Sequence, residues 1–386
     1  MNRYDLCPVR PPEVRAAIAK TGTAPGALAH RYDLCPVRPP EVRAAIAKTG
    51  TAPGAWAHAP SLKIPITVYG INEPTPGPRW RALFDATWPG YRAWYLSHGE
   101  TARPDLPTAT RMLASHMPEL IPTYDRLVDL AGGDELAARM LTLWDAPAFA
   151  PACSQAVITG PEPALCRNYD YGVDLWERTI YTSAFNGRRV IGSGDCLWGL
   201  LDGMNDAGLA VSLAFGGRPG SGRGFAIPIV MRYLLEVATT VAQAREVLQA
   251  LPISMSYNLT MVDAAGESGT AFVGPDWPAE FSAAPVATNH RGDIPEYPER
   301  AALLRSVPRR NRLTAVLATD PRPADLTAAF LTDPLYNRDY SRSFGTLYTA
   351  LYRPAHAVAE FLWPGQSWRR GFDDPDGTRQ VVLVGQ

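Results

Sequence analysis

The chain is short of the features that mark most metal, redox, secreted and membrane proteins. Its five cysteines, Cys7, Cys35, Cys153, Cys166 and Cys196, are odd in number and widely spaced. That argues against a disulfide framework, and no Cys-x-x-Cys pair offers a zinc site or a redox dithiol. The six histidines contain no His-x-x-x-His or His-x-x-Glu-His arrangement, so no metal is expected. Neither sign of charge dominates: 37 Lys and Arg against 38 Asp and Glu leave a net charge of −1. The charges are scattered, unlike the basic patches that bind nucleic acid or anionic lipid. No apolar run approaches the roughly 20 residues needed to cross a bilayer. Met1-Asn2-Arg3-Tyr4-Asp5 lacks the apolar centre of a signal peptide. The expectation is a soluble cytoplasmic protein that binds neither nucleic acid nor membrane. What the chain does have is 46% hydrophobic residues and 10 Trp, enough for a well-filled core.

Organisation follows from composition and periodicity. Residues 3–30 and 31–58 are copies that differ only at Leu28 against Trp56. Two near-identical copies are too few for a solenoid, and 1–58 reads as a dispensable duplicated extension. Residues 59–152 read as a helical segment, with apolar residues at helical spacing through Leu136-Ala137-Ala138-Arg139-Met140-Leu141. Ala146-Pro147-Ala148-Phe149-Ala150-Pro151 cannot extend a helix and reads as an exposed linker running into Cys153. Residues 153–386 then alternate as strands, with Gly160-Pro161-Glu162-Pro163 as a turn between Gln155–Thr159 and Ala164–Asp170. A helical tract over 225–251, divided by the capping box at Thr240-Val241-Ala242-Gln243, precedes further strands. Strands, two helices, then strands predict sheets covered by helices in an α+β layered domain.

The chemistry gathers on the first hairpin. Cys153-Ser154-Gln155 on one arm and Arg167-Asn168-Tyr169-Asp170 on the other bring a thiol, a cation and a carboxylate together. A thiol attacks a carbonyl as thiolate and needs a nearby base or cation to reach that state. No histidine lies near Cys153 in sequence and no Gly-x-Ser-x-Gly elbow occurs. A freed α-amine can serve as base for the same residue's side chain, which requires cleavage of the Ala152–Cys153 bond. Cys166, next to Arg167 but of opposite strand parity, reads as a core thiol. Asn205, in Asp202-Gly203-Met204-Asn205, also fits a plain turn. The glycine-rich stretch from Gly216 to Gly224 reads as a loop at a pocket rim.

Together with Asp202-Gly203-Met204-Asn205-Asp206-Ala207-Gly208-Leu209 and Ala287-Thr288-Asn289-His290, these segments resemble the N-terminal-nucleophile (Ntn) hydrolases. The similarity is to the isopenicillin N acyltransferase group, the C45 autoproteolytic acyltransferases and hydrolases, with penicillin V acylases and bile-salt hydrolases as more distant relatives. The resemblance implies a four-layer αββα sandwich with a helical N-terminal segment. It implies a Cys153 nucleophile freed at Ala152–Cys153, with Arg167 holding the thiolate and Asp170 orienting the α-amine. Asn205 would lie near the scissile carbonyl, Asn289 would donate to the oxyanion, and Arg300 would be a second active-site arginine. Trp176, Trp198, Phe215 and His290 are expected to line an acyl pocket. The substrate implied is a small linear amide, with no cofactor beyond a coenzyme A thioester as one acyl donor. The two fragments would stay associated after cleavage, and a homo-oligomer is compatible with this arrangement. The alternative of another class is an unprocessed, inactive relative that binds a ligand in the old pocket.

Overall fold

The computed structural model describes residues 62–385 except 149, 276 and 343; the duplicated extension lies outside the described residues. A nine-stranded sheet contains β1 (Lys63–Asn72), β4 (Thr179–Ser183), β5 (Val190–Asp195), β6 (Gly199–Asn205), β7 (Leu209–Phe215), β8 (Tyr257–Asp263), β9 (Ser268–Gly274), β10 (Trp277–Ser282) and β15 (Gly377–Val384). Its spatial order is β10-β9-β8-β7-β6-β5-β4-β1-β15. A six-stranded sheet contains β2 (Ala152–Ile158), β3 (Ala164–Tyr171), β11 (Val286–Ala287), β12 (Gly345–Arg353), β13 (Val358–Trp363) and β14 (Gln366–Gly371), in the order β11-β2-β3-β12-β13-β14. The helices are α1 (Pro78–Tyr95), α2 (Leu106–His116), α3 (Ile121–Leu130), α4 (Glu135–Leu141), α5 (Ile227–Val237), α6 (Val241–Ala250), α7 (Pro298–Leu303), α8 (Ser306–Leu317) and α9 (Pro323–Phe330).

The layers follow from contacts between elements. Strands β2 and β3 face β7 and β8, so the two sheets pack against each other. Helix α5 covers β5, β6 and β7, and α6 covers β8, β9 and β10. Helices α8 and α9 cover the other side, on β2, β3, β11 and β12. The order is helix, sheet, sheet, helix: the αββα sandwich that the resemblance implies. The division near Thr240 holds, since its hydroxyl accepts from the Gln243 N–H at 3.2 Å at the start of α6, a standard N-cap.

Two expectations need correction. Residues 59–152 are not simply helical, because Lys63–Asn72 form β1, between β4 and β15 in the nine-stranded sheet. Ile64, Ile66, Val68 and Gly70 are buried and alternate with exposed or half-buried neighbours, the period of two expected of a strand with one wet face. Residues from both sides of 152/153 share one hydrophobic core. The stretch before Cys153 is also not exposed. Ala146, Pro147, Pro151 and Ala152 are buried, since proline forbids a helix without demanding water, and a run of Ala and Pro has little polar side-chain surface to keep wet. Its start is tethered: the Asp145 N–H donates to the Gly224 carbonyl at 2.9 Å, and the Gly224 N–H donates to the Asp145 carboxylate at 2.8 Å.

Candidate active site

The β2–β3 hairpin builds the site by strand parity. Its register pairs Cys153 with Tyr169, Gln155 with Arg167, and Ala152 with Asp170. Paired residues project to the same face, so Cys153, Gln155, Arg167 and Tyr169 point between the sheets. Ser154, Asn168, Cys166 and Asp170 point toward the helices. Cys166 packs there with Ala156, Leu313 and Phe330, the core thiol its parity predicts, and burial pushes it up, well clear of reactivity.

On the inner face the Cys153 thiol is fully buried, and Arg167 Nη2 donates to its Sγ at 3.1 Å. Arg167 is itself held on every side. Its Nε donates to the Leu213 carbonyl at 3.1 Å and its Nη1 to the Tyr348 hydroxyl at 3.0 Å. The same Nη1 pairs with the buried carboxylate of Asp202, which also accepts from the hydroxyls of Tyr348, at 2.6 Å, and Tyr352. Its guanidinium lies 4.8 Å from the Tyr169 ring centroid. Burial works against the charge on Arg167, but Cys153, Tyr348 and Asp202 around it hold the cation in place. Burial pushes the Cys153 thiol up while Arg167 pulls it down and Asp170 adds to the rise. The balance is a neutral thiol.

On the helix side a second buried arginine, Arg309 of α8, meets the backbone of the same cysteine. It donates to the Cys153 carbonyl at 2.5 Å, the Ser154 hydroxyl at 2.8 Å and Asn289 Oδ1 at 2.6 Å. It also lies 3.7 Å from the Asp170 carboxylate, which accepts from the Thr346 hydroxyl at 2.6 Å. Burial raises Asp170, opposed by Arg309, Thr346 and Arg167. Asn289 closes the ring: its Oδ1 accepts from the Cys153 N–H at 3.1 Å, and its Nδ2 donates to Phe215 O at 2.8 Å and Pro151 O at 3.4 Å. The Asn289 segment is fixed from below by Asn258, whose amide donates to the carbonyls of Thr288 and His290, and from the side by Ser306. Gly217, at φ +86°, packs over it; a Cβ there would lie 2.4 Å from the Asn289 carbonyl oxygen. That contact and the positive φ explain a glycine at this point of the loop.

The structure thus brings together Cys153, Arg167, Asp170 and Asn289, with Ala152 preceding the thiol. It does not bring Asn205 to them. The Asn205 amide donates to the carbonyls of Leu235 and Ala238 at 2.9 and 2.7 Å, and its Oδ1 accepts from the Leu209 N–H. Those bonds close the β6–β7 turn and satisfy the end of α5, where carbonyls otherwise lack partners. The member of that motif that reaches the site is Asp202. Arg300 is half-buried over the Phe215 ring, 5.7 Å from its centroid. Besides Arg167, the buried arginine beside Cys153 is Arg309, which no short motif marks and which is adjacent to the more exposed Arg310. Of the expected pocket residues, Phe215 touches Asn289 through its carbonyl. His290, whose Nδ1 lies 2.6 Å from the Ser306 hydroxyl, is lowered to about 4 by burial and then by Arg310 and Arg309, and is neutral. Trp176 packs on Tyr348 and Trp198 donates to the Leu141 carbonyl, as core residues between elements do. Among the described residues no group of three or more His, Cys, Asp or Glu could hold a metal, and no helix is long and apolar enough to cross a membrane.

Three solved structures resemble this fold. Penicillin V acylase from Agrobacterium tumefaciens shares 15% identity over 59% of this chain and 90% of its own, with a TM-score of 0.41. A conjugated bile acid hydrolase from Clostridium perfringens shares 12% over 59% and 96%, with a TM-score of 0.40. An N-acylethanolamine-hydrolyzing acid amidase ortholog from Caenorhabditis elegans shares 14% over 53% and 93%, also at 0.40. Comparison with curated protein sequences gives no match. Residues 158–368, more than half of the chain, match the acyl-coenzyme A:6-aminopenicillanic acid acyl-transferase family, and the chain belongs to that family.

Proposed function

We propose that this chain is a self-processing cysteine amidohydrolase or acyltransferase that acts on a small linear amide through a thioester at Cys153. The observation that supports it most strongly is Arg167 Nη2 at 3.1 Å from the buried Cys153 Sγ, a charge-assisted contact that favours thiolate. In processing, Sγ bonds to the Ala152 carbonyl carbon and the Ala152–Cys153 C–N bond breaks. The Cys153 nitrogen takes the thiol proton, and water hydrolyses the resulting thioester to leave a carboxylate on Ala152 and a restored Cys153 thiol. The freed amine then has an ordinary α-amine pKa of roughly 7.7–8.0, suited to a base near neutrality. It starts beside Asn289 Oδ1, already 3.1 Å from the Cys153 nitrogen, and Asp170 and Arg309 orient that end of the strand.

Turnover repeats the chemistry on substrate. The thiolate adds to the amide carbonyl, the leaving amine takes a proton from the α-ammonium, and water or an acceptor amine resolves the thioester. Asn289 supplies the oxyanion donor: the Nδ2 that faces the Pro151 carbonyl at 3.4 Å is released when the new chain end at Ala152 withdraws. Losing one such donor has cost about 2.7–4 kcal/mol elsewhere. Arg309 takes the second-arginine role expected of Arg300. Because the thiol is fully buried in the uncut chain, cleavage also gives substrate a way in.

The test is the intact mass of the purified protein beside Cys153→Ala, followed by assay of N-acyl amides with and without an acceptor amine. Two fragments meeting at Ala152–Cys153 in the wild type and one chain in the variant are expected. A single uncut chain in both, or amide turnover that survives Cys153→Ala, would sink the proposal.

A further inference from the structure

Close to the thiol lies a second buried constellation that the chemistry above does not use. Asp195 ends β5, and the chain turns after it through Cys196 and Leu197, both at positive φ. The turn aims two N–H groups inward. Cys196 donates to Asp195 Oδ1 at 2.9 Å and Leu197 to Glu177 Oε1 at 2.7 Å. Tyr91 of α1 places its hydroxyl between the two carboxyl groups, against Glu177 Oε1 and 2.9 Å from Asp195 Oδ1. One phenolic hydrogen cannot serve both oxygens, so one of the two acids must contribute a proton of its own.

Glu177 and Asp195 are both buried, and among the described residues no Arg, Lys or His forms an ion pair with either. With one shared proton the pair keeps one negative charge with no cation in contact; the Arg167 charge, already paired with Asp202, acts on Asp195 only from further off. A buried charge without a partner is costly. Burial raises both acids, and Asp195 is pushed up to about 8 by burial and then by Glu177. Asp195 Oδ2 and the Tyr169 hydroxyl, both fully enclosed, have no hydrogen-bond partner among the described residues. Tyr169 is the register partner of Cys153 and carries Arg167 over its ring. Tyr257 joins the two places: burial raises its phenol first, then the charges of Cys196, Asp195 and Cys153.

We propose that Glu177, Asp195 and Tyr169 form a subsite for a protonated primary amine, so that the preferred amides carry an ammonium group. An ammonium supplies the missing positive charge and three donors, which suit the free Asp195 oxygen and the Tyr169 hydroxyl oxygen. A neutral donor would leave the charge unbalanced. Two carboxylates and phenols fall short of the ligand set a resident metal needs here. The inference rests on the reading that Cys153 attacks amides.

The experiment compares kcat/KM for matched substrates: 6-aminohexanoyl against heptanoyl 4-nitroanilide, and N-butyryl-cadaverine against N-butyryl-hexylamine. The wild type is expected to prefer the ammonium member of one pair by about tenfold or more, a factor equal to about 1.4 kcal/mol. Asp195→Asn should bring that ratio close to one. A structural role would lower both members alike and leave the ratio standing. Equal turnover of both members by the wild type, or a preference that survives both Asp195→Asn and Tyr169→Phe, overturns the subsite. Should Asp195→Asn not fold, Tyr169→Phe and Glu177→Gln carry the same comparison. If the wild type turns over none of these amides, the hydrolase reading fails separately. The subsite then stands or falls on thermal stabilisation of the wild type, absent in the variant, by pentylammonium and not by pentanol.

Discussion

Asp202 and Asp195 lie seven positions apart on adjacent strands and are both buried, yet their surroundings are opposite. Asp202 is matched: Arg167 pairs with it, and Tyr348 and Tyr352 complete its hydrogen bonds. Asp195 is unmatched: its nearest partners are another acid, through Tyr91, and the N–H of Cys196. The matched acid holds a cation rigid against the Cys153 thiol. The unmatched one keeps a charge deficit that only a proton or an incoming cation can fill. Burial alone is equal at the two positions, so what separates a structural carboxylate from a receptive one is the charge count of its neighbours.

The most direct way to break the comparison is to unmatch Asp202. Arg167→Met leaves a buried carboxylate without its cation, and loss of roughly 3–5 kcal/mol of stability is expected, together with loss of thiol labelling at Cys153. Chemical denaturation gives the first and mass spectrometry after alkylation the second. Adding Asp202→Asn should restore a large part of the stability but not the labelling. Full additivity of the two changes would show that the pair is not coupled. A smaller effect tests the neutral polar neighbour on the same strand. Asn205→Ala strips partners from the carbonyls of Leu235 and Ala238 and should cost about 1–3 kcal/mol. Specific activity per folded molecule should be retained, because Asn205 touches none of the site. A variant as stable as wild type but inactive would return Asn205 to the catalytic set.

The sequence was legible where the chemistry is local. Cys153, Arg167 and Asp170 share one hairpin, and strand parity alone puts Arg167 on the face of the Cys153 thiol and the neighbouring Cys166 on the other. The capping box at Thr240 and the strand pattern on either side of it are likewise short-range signals. Arg309 was not legible because its partners are Cys153 and Asn289, 156 and 20 residues away, and it lies on a helix whose sequence, Ser306-Val307-Pro308-Arg309-Arg310, shows two adjacent arginines with nothing local to separate them. Asp202 was hidden for the same reason: its value depends on Arg167, which only the packing of one sheet on the other brings near. Strand β1 was readable from its alternation but was overshadowed by the helices that follow it. The acid pair could not be seen at all, since Glu177 and Asp195 meet only through Tyr91, which is supplied by α1 from the segment before the nucleophile.

The smallest effect sharpens the comparison most, because it reads the unmatched acid through its proton. An ordinary carboxyl titrates near 3.9, whereas Asp195 in the folded chain is pushed up to about 8, first by burial and then by Glu177. Between those values the folded state holds a proton that the unfolded state has released. Stability therefore falls as pH rises through that window, by at most about 1.4 kcal/mol per pH unit for one proton. His290 works in the opposite direction: lowered to about 4 mainly by burial, it adds stability as pH rises from about 4 to 6.5 and contributes no slope above that. From pH 6.5 to 8 the histidine therefore no longer opposes the acid, and the Asp195→Asn comparison isolates the Asp195 share from that of other raised acids such as Glu177 and Asp170. Urea denaturation there should show wild-type stability declining, and Asp195→Asn should flatten the decline while changing stability little at pH 6.5. If the slopes of wild type and Asp195→Asn coincide, Asp195 holds no proton that the unfolded chain lacks, and the contrast between the two acids disappears.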